Sequence, residues 1–159
     1  MKTNINNLNQ KSIAVDEFFN NALFDKKKGY YSTKNPFGKK GDFVTAPNIS
    51  DIFSEIIGIW IISTWEKLKK PRRINLVELG PGDGSMAKIL IRTFKRFPEF
   101  YSSANFFLYE KSELLIKIQK KKIKAKSNKV FWIKDFKKIK NGPVIFFGNE
   151  FFDAIPIKQ

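Results

Sequence analysis

Apolar residues at helical spacing predict two helices in the first part of the chain. Ser12 can cap a helix over residues 13–24, and Ser50 can begin a second, strongly apolar helix. The second helix must end before Pro71, because proline removes a backbone donor and clashes with the preceding turn. The segment 25–41 between the two helices contains glycine and proline, and we expect it to be irregular.

After Pro71 the pattern changes to short apolar runs that alternate with longer amphipathic stretches. Alternation of this kind predicts a parallel sheet with right-handed crossovers, that is, a Rossmann-like α/β fold with helices on both faces. We expect a loose leader, an N-terminal helical extension and a Rossmann-like domain, over residues 1–11, 12–70 and 71–159. The predicted strands are 74–79, 105–109, 130–133 and 143–147, and the helices between them are 85–96 and 112–122.

A glycine-rich turn follows the first predicted strand, with the sequence Val-Glu-Leu-Gly-Pro-Gly-Asp-Gly-Ser over residues 77–85. Ligands bind at this end of parallel strands, and glycine lets them approach the backbone. The spacing G-x-G-x-G differs from the dinucleotide fingerprint, and the carboxylates of Glu78 and Asp83 would oppose a pyrophosphate. Two carboxylates suit a ligand that carries an ammonium and a sulfonium. The turn therefore predicts an S-adenosylmethionine site, with NAD as the weaker alternative.

Glu110 supplies the second part of this prediction. It ends the second predicted strand, one βαβ unit after the glycine turn, where a carboxylate can accept hydrogen bonds from both ribose hydroxyls of an adenosine. Alone, it would be read as a surface charge. The cofactor-binding candidates are Glu78, Gly80, Pro81, Gly82, Gly84, Glu110, Asp135 and Asn149.

The composition narrows the chemistry that the chain can perform. It contains neither cysteine nor histidine, which excludes disulfides, thiolate metal sites and every nucleophile that depends on imidazole. We expect no metal site. The chemistry must use carboxylates, lysine, tyrosine, backbone groups and a bound cofactor.

The net charge of +15 raises the alternative of a nucleic-acid partner. However, arginine occurs only four times among the 30 basic residues, which are spread over nearly every segment. Proteins that bind nucleic-acid phosphates favour the planar guanidinium group of arginine. We therefore interpret the positive charge as a diffuse, solvated surface, and RNA binding is the minority interpretation. The longest apolar run, residues 56–62, is far short of the roughly 20 residues of a membrane helix. We expect a cytoplasmic protein.

Three segments resemble signature blocks of the MidA family: Gly-Asp-Phe-Val-Thr-Ala-Pro at 41–47, Val-Glu-Leu-Gly-Pro-Gly at 77–82, and Asn-Glu-Phe-Phe-Asp-Ala-Ile-Pro at 149–156. The resemblance runs over about residues 12–159. It implies an S-adenosylmethionine-dependent methyltransferase. Since mitochondrial members are complex I assembly factors that dimethylate an arginine of a core subunit, it also implies a protein arginine substrate on a complex I subunit or its bacterial counterpart.

The block 149–156 is the candidate catalytic segment. Carboxylates can hold a guanidinium bidentately, so we expect Glu150 to clamp the arginine and Asp153 to be a second partner or proton acceptor. In the alternative interpretation Phe151 and Phe152 are core residues and Asp153 caps the next turn.

The block 41–47 is a candidate substrate or lid loop, through Asp42, Phe43 and Thr45. The alternative is that Phe43 and its neighbour pack on the sheet. The family pattern has an acidic residue after the proline of this block, whereas this chain has Asn48.

MidA-type proteins are about twice as long as this chain, and their class of sheet has seven strands. We therefore expect a fold truncated after the fourth strand, with that strand as an uncovered apolar edge, completed by a second polypeptide or else a fragment. A non-catalytic assembly or binding factor that retains the cofactor fold is the alternative function.

Overall fold

The computed structural model describes residues 13–38, 41–124, 129–139 and 141–158. The predicted leader, residues 1–11, and the predicted cap Ser12 lie outside these ranges. Within them, no helix combines the length and the apolar character that crossing a membrane requires.

The described residues between 13 and 70 form four helices. These are α1 (Val15–Phe24), α2 (Tyr30–Thr33), α3 (Ala46–Ile49) and α4 (Asp51–Lys67). The Ser50 hydroxyl accepts a hydrogen bond from the backbone N–H of Ile52 at 3.2 Å, which confirms the predicted cap of α4. The first helix begins two residues later than predicted. The stretch predicted to be irregular contains α2, a single turn that composition does not reveal.

The second part of the chain forms a four-stranded parallel sheet in the order β3-β2-β1-β4. Its strands are β1 (Ile74–Leu79), β2 (Ala104–Tyr109), β3 (Val130–Ile133) and β4 (Val144–Phe147), within one residue of the predicted bounds. The helices are α5 (Ser85–Phe94), α6 (Pro98–Ser103) and α7 (Glu113–Ile123), of which α6 was not predicted. Because β2 and β4 flank β1, the strand order reverses at β1, which is where such sheets bind ligands.

One face of the sheet carries the main core. Ile74 and Leu76 of β1 pack with apolar residues of α4, α5 and α6, among them Ile61, Leu90 and Phe100. This burial holds the start of α5, and with it the glycine turn, at the end of β1.

The opposite face carries a smaller cluster around Val77, Phe107 and Ile133. Among the described residues, the helices that supply the core pack on the first face, whereas we expected helices on both. Phe131 and Phe146 on the second face are accordingly 40% and 51% exposed.

Candidate cofactor site

A cavity of about 710 Å³ lies over the carboxyl ends of β1, β2 and β4. The ends of these strands and the glycine turn form one side of the cavity. Aromatic residues from the N-terminal part of the chain form the other side. A volume of this size suits a cofactor or a drug-sized ligand. Its lining includes Tyr31, Phe37, Phe43, Glu78, Gly80, Pro81, Gly82, Glu110, Asn149, Glu150 and Asp153.

The glycine turn needs its glycines for two separate reasons. Gly80, Gly82 and Gly84 all have positive φ angles, of 59°, 55° and 80°, which favour glycine. In addition, a Cβ at Gly80 would lie 2.7 Å from Cδ2 of the Phe151 ring. This close contact joins the turn to the segment that follows β4, so that two of the predicted blocks form one site.

Glu78 is buried at the end of β1 and lines the cavity. Burial, and to a lesser extent the charge of Asp83, raises the pKa of its carboxyl to about 8. A ligand that brings a positive charge into the cavity would favour the ionised form of this group.

Asp83 is engaged within the protein. Its Oδ2 lies 2.5 Å from the ammonium of Lys122, and its Oδ1 accepts a hydrogen bond from the Ser85 N–H at 3.0 Å. From the sequence we expected Asp83 to be one of two carboxylates that suit a cationic ligand. Since Asp83 is already paired with Lys122, Glu78 is the better candidate for that contact.

Glu110 is buried at the end of β2, and its carboxylate is held from both sides. Oε1 accepts from the Ser112 N–H at 2.9 Å, and Oε2 accepts from the Gln119 amide at 3.1 Å. Burial raises the pKa of this carboxyl, and these hydrogen bonds oppose the rise. The carboxylate is thus fixed in orientation and retains lone pairs for a ligand.

Gln119 is a site residue that sequence reasoning missed. It is fully buried, and its amide donates to the Gly82 carbonyl at 2.8 Å as well as to Glu110, while its oxygen accepts from Trp132 at 2.9 Å. One side chain therefore orients both the glycine turn and the Glu110 carboxylate. The available signal was a polar residue four positions after Leu115, on the apolar face of α7.

The predicted catalytic segment also lies at the cavity, through Asn149, Glu150 and Asp153. Glu150 has a φ of 54°, which is unusual for a residue other than glycine and marks a strained position. Phe152 is 77% exposed, so it is not a core residue, and Asp153 lies inside the short 3₁₀ turn Phe152–Ala154. These observations disfavour a purely structural interpretation of the segment.

Only some of the candidate residues in the loop 41–47 line the cavity. Phe43 and Thr45 line the cavity, and the Phe43 ring lies 6.1 Å from the Tyr30 ring. Asp42 is not among the lining residues. It accepts hydrogen bonds from Lys34 at 2.6 Å and from the Tyr30 hydroxyl at 2.5 Å, and these lower the pKa of its carboxyl. Asp42 thus fastens the loop to α2.

Two further candidates lie beside the cavity without lining it. The Asp135 carboxylate accepts a hydrogen bond from the Lys137 N–H at 2.9 Å and so caps a 3₁₀ turn, Phe136–Lys138. Gly84 precedes the first residue of α5. In the described part of the chain, no cluster of three metal-ligating side chains occurs.

Comparison with known proteins identifies the family. The sequence profile of the family described as putative S-adenosyl-L-methionine-dependent methyltransferases matches residues 56–159. The chain belongs to this family. The fold agrees, because a crystal structure of a likely methyltransferase of the COG1565 superfamily from Burkholderia thailandensis, bound to S-adenosyl-homocysteine, superposes with a TM-score of 0.71. That superposition covers 91% of this chain and 38% of the other, at 23% identity.

Curated relatives of this methyltransferase-family chain carry a more specific name. The mitochondrial protein arginine methyltransferase NDUFAF7 of Xenopus laevis is 36% identical over 92% of the chain, and that of Homo sapiens is 32% identical over the same share. The chain spans 39% of the first and 38% of the second relative's length. These relatives are mitochondrial proteins, and this finding contradicts our expectation of a cytoplasmic protein, which followed from the lack of an apolar run long enough to span a membrane.

Proposed function

We propose that this chain holds S-adenosylmethionine in the cavity and belongs to an enzyme that methylates an arginine side chain of a protein. The observation that carries the proposal is the buried Glu110 carboxylate, which lines the cavity at the end of β2 beside the glycine turn. A buried carboxylate is costly unless it is paired or has a function, and this one faces a cavity.

The cavity residues fit the cofactor. Glu110 would accept hydrogen bonds from the two ribose hydroxyls, and the backbone of residues 80–82 would lie against the methionine moiety. Glu78 would face its ammonium group, and Asn149 and Asp135 remain candidates for polar contacts. The structural neighbour from Burkholderia thailandensis, which binds S-adenosyl-homocysteine, supports this assignment. When bound, the cofactor supplies an electrophilic methyl group on a sulfonium.

The chain's own residues would position the substrate nitrogen. A guanidinium is always charged, so Glu150 and Asp153 at the cavity would hold it and localise its charge, and Asp153 would take the proton that the nitrogen releases. The strained backbone of Glu150 supports this assignment, because strain concentrates at functional sites. The name of the curated relatives supports arginine as the substrate side chain.

We further propose a respiratory complex I subunit as the methylated protein. This proposal is supported by the MidA resemblance and by the mitochondrial relatives. The exposed apolar face of the sheet, around Phe131 and Phe146, supports a second polypeptide that completes the fold.

Transfer of a radiolabelled methyl group tests the enzymatic proposal. The purified chain is incubated with labelled S-adenosylmethionine and a mitochondrial protein extract, and the products are hydrolysed to amino acids. We expect label in methylarginine, and a loss of about 100-fold in Glu150→Gln, because a misplaced nucleophile costs roughly that factor. Glu66→Gln, which changes an exposed carboxylate on α4, should label normally. Cofactor binding without any transfer would contradict the enzymatic part and favour the non-catalytic factor.

A further inference from the structure

The carboxylate of Asp83 in the glycine turn has a partner from a distant part of the sequence. Lys122, in the last turn of α7, places its ammonium 2.5 Å from Asp83 Oδ2, and the Asp83 side chain is almost completely buried. A buried carboxylate without a partner is strongly destabilising. Lys122 is not among the residues that line the cavity, so it supports the turn from behind.

The contact is selective among the lysines at the end of α7. Three consecutive lysines occupy this turn. Lys121 is exposed, and the Lys120 ammonium lies over the Trp132 ring, 5.4 Å from its centroid. The third lysine, Lys122, is the one that the helical geometry directs at the glycine turn.

The ammonium also begins a chain of hydrogen bonds with a fixed direction. Lysine only donates, so the Ser85 hydroxyl must accept from Lys122, at 2.9 Å. The proton of that hydroxyl is then available to Asn48 Oδ1, at 3.1 Å, and the Asn48 amide donates to the Thr45 hydroxyl at 3.2 Å. These hydrogen bonds link α7, the glycine turn and the segment 45–49, which contains α3.

We propose that Lys122 is a positioning residue of the cofactor site, which fixes Asp83 and, through Ser85 and Asn48, holds the segment 45–49 against the glycine turn. Thr45, Asn48, Asp83 and Ser85 all line the cavity, so the network determines the shape of that wall. The role in cofactor binding rests on the proposed function. The holding of the segment 45–49 does not.

The test compares the wild-type protein with the variant Lys122→Met. Lys121→Met is the matched control, and Lys122→Arg is the conservative variant. Titration calorimetry with S-adenosylmethionine measures affinity, and hydrogen exchange without ligand measures the protection of amides 51–67 and of the amides in 45–49 other than Pro47. In Lys122→Met we expect affinity to fall about tenfold or more, and exchange at 45–49 to rise by a similar factor. Amides of α4 should stay protected, Lys121→Met should match wild type, and Lys122→Arg should restore most of the affinity.

Asn48→Ala cuts the chain of hydrogen bonds beyond Ser85 and leaves the Lys122–Asp83 pair intact. It should raise exchange at 45–49 without unfolding α4. If Lys122→Met fails to fold, this variant tests whether the hydrogen bonds hold the segment 45–49. Unchanged exchange at 45–49 in both variants, or equal effects of Lys121→Met and Lys122→Met, would overturn the proposal. If wild type does not bind the cofactor, the proposed function fails, and the exchange results alone decide whether the network holds the segment.

Discussion

At the scale of single residues, the cavity contains a carboxyl group, that of Glu78, whose ionisation is unfavourable in the folded protein. Its carboxyl is buried beside Asp83, and its pKa of about 8 lies well above the usual value of 4.5. The folded protein therefore keeps the proton at neutral pH, whereas the unfolded chain releases it above about pH 4.5. The contribution of Glu78 to stability falls as the pH rises from about 4.5 to 8, because over this range its carboxyl binds more protons in the folded state than in the unfolded state.

Glu78→Gln should remove this pH dependence. Below about pH 4.5 the variant and wild type should differ little, and at pH 8 and above the variant should be more stable, by an amount of the order of 5 kcal/mol. Urea unfolding between about pH 4 and pH 9 measures the difference. The exposed Glu17→Gln serves as the control and should follow wild type. A constant difference over the whole range would show that Glu78 ionises normally in the folded protein.

The roles of single residues were predictable only in part. Glycine spacing and the position of Glu110 at a strand end are local signals, and Gly80, Gly82 and Glu110 line the cavity. Gln119 and Lys122 contact the glycine turn across 37 and 39 residues of sequence, and nothing in the spacing of α7 identifies their partners. The sequence did not reveal that Asp83 is paired with Lys122, one of these distant residues.

At the scale of elements, the contact between α4 and α5 fixes the helix that begins at the glycine turn. Gly58 of α4 is buried against α5, and a Cβ at this position would lie 3.3 Å from side-chain atoms of both Leu90 and Thr93. The glycine therefore permits a close approach of the two helices.

Gly58→Val should lower the free energy of unfolding by about 1–3 kcal/mol through overpacking, even though valine is the better helix former. Denaturant unfolding measures this change. Glu66→Val, on the exposed side of the same helix, should cost less, although it exchanges a good helix former for a poor one. A larger loss in Glu66→Val than in Gly58→Val would show that the two helices do not depend on this contact.

The strands and longer helices were predictable because burial of regular apolar patterns determines them. The capping serine of α4 confirms this, since Ser50 caps the helix that it was predicted to begin. The short helices α2, α3 and α6 were missed, because four to six residues carry too little periodicity to be distinguished from loops. Tertiary contacts stabilise them, such as the Ser112 hydroxyl that donates to the Tyr31 carbonyl at 2.6 Å.

At the scale of the whole molecule, the order of the strands explains why separate sequence blocks form one site. The ends of β1, β2 and β4 lie side by side, so the glycine turn, Glu110 and the segment 149–153 all line a single cavity. The sequence alone predicts that these parts lie at the same end of a parallel sheet. It does not predict how the N-terminal aromatic residues contribute the further wall, because their contacts are irregular.

The central claim is that this cavity binds S-adenosylmethionine through Glu110, and titration calorimetry of the whole chain tests it most directly. Wild type should bind, and Glu110→Gln should bind about tenfold or more weakly, since a hydrogen bond to a charged group contributes roughly 1.5–3 kcal/mol. Glu113→Gln, three residues away and exposed, should bind as wild type does, with circular dichroism confirming that both variants are folded. No binding by folded wild type at millimolar cofactor, or equal affinity of wild type and Glu110→Gln, would contradict the account.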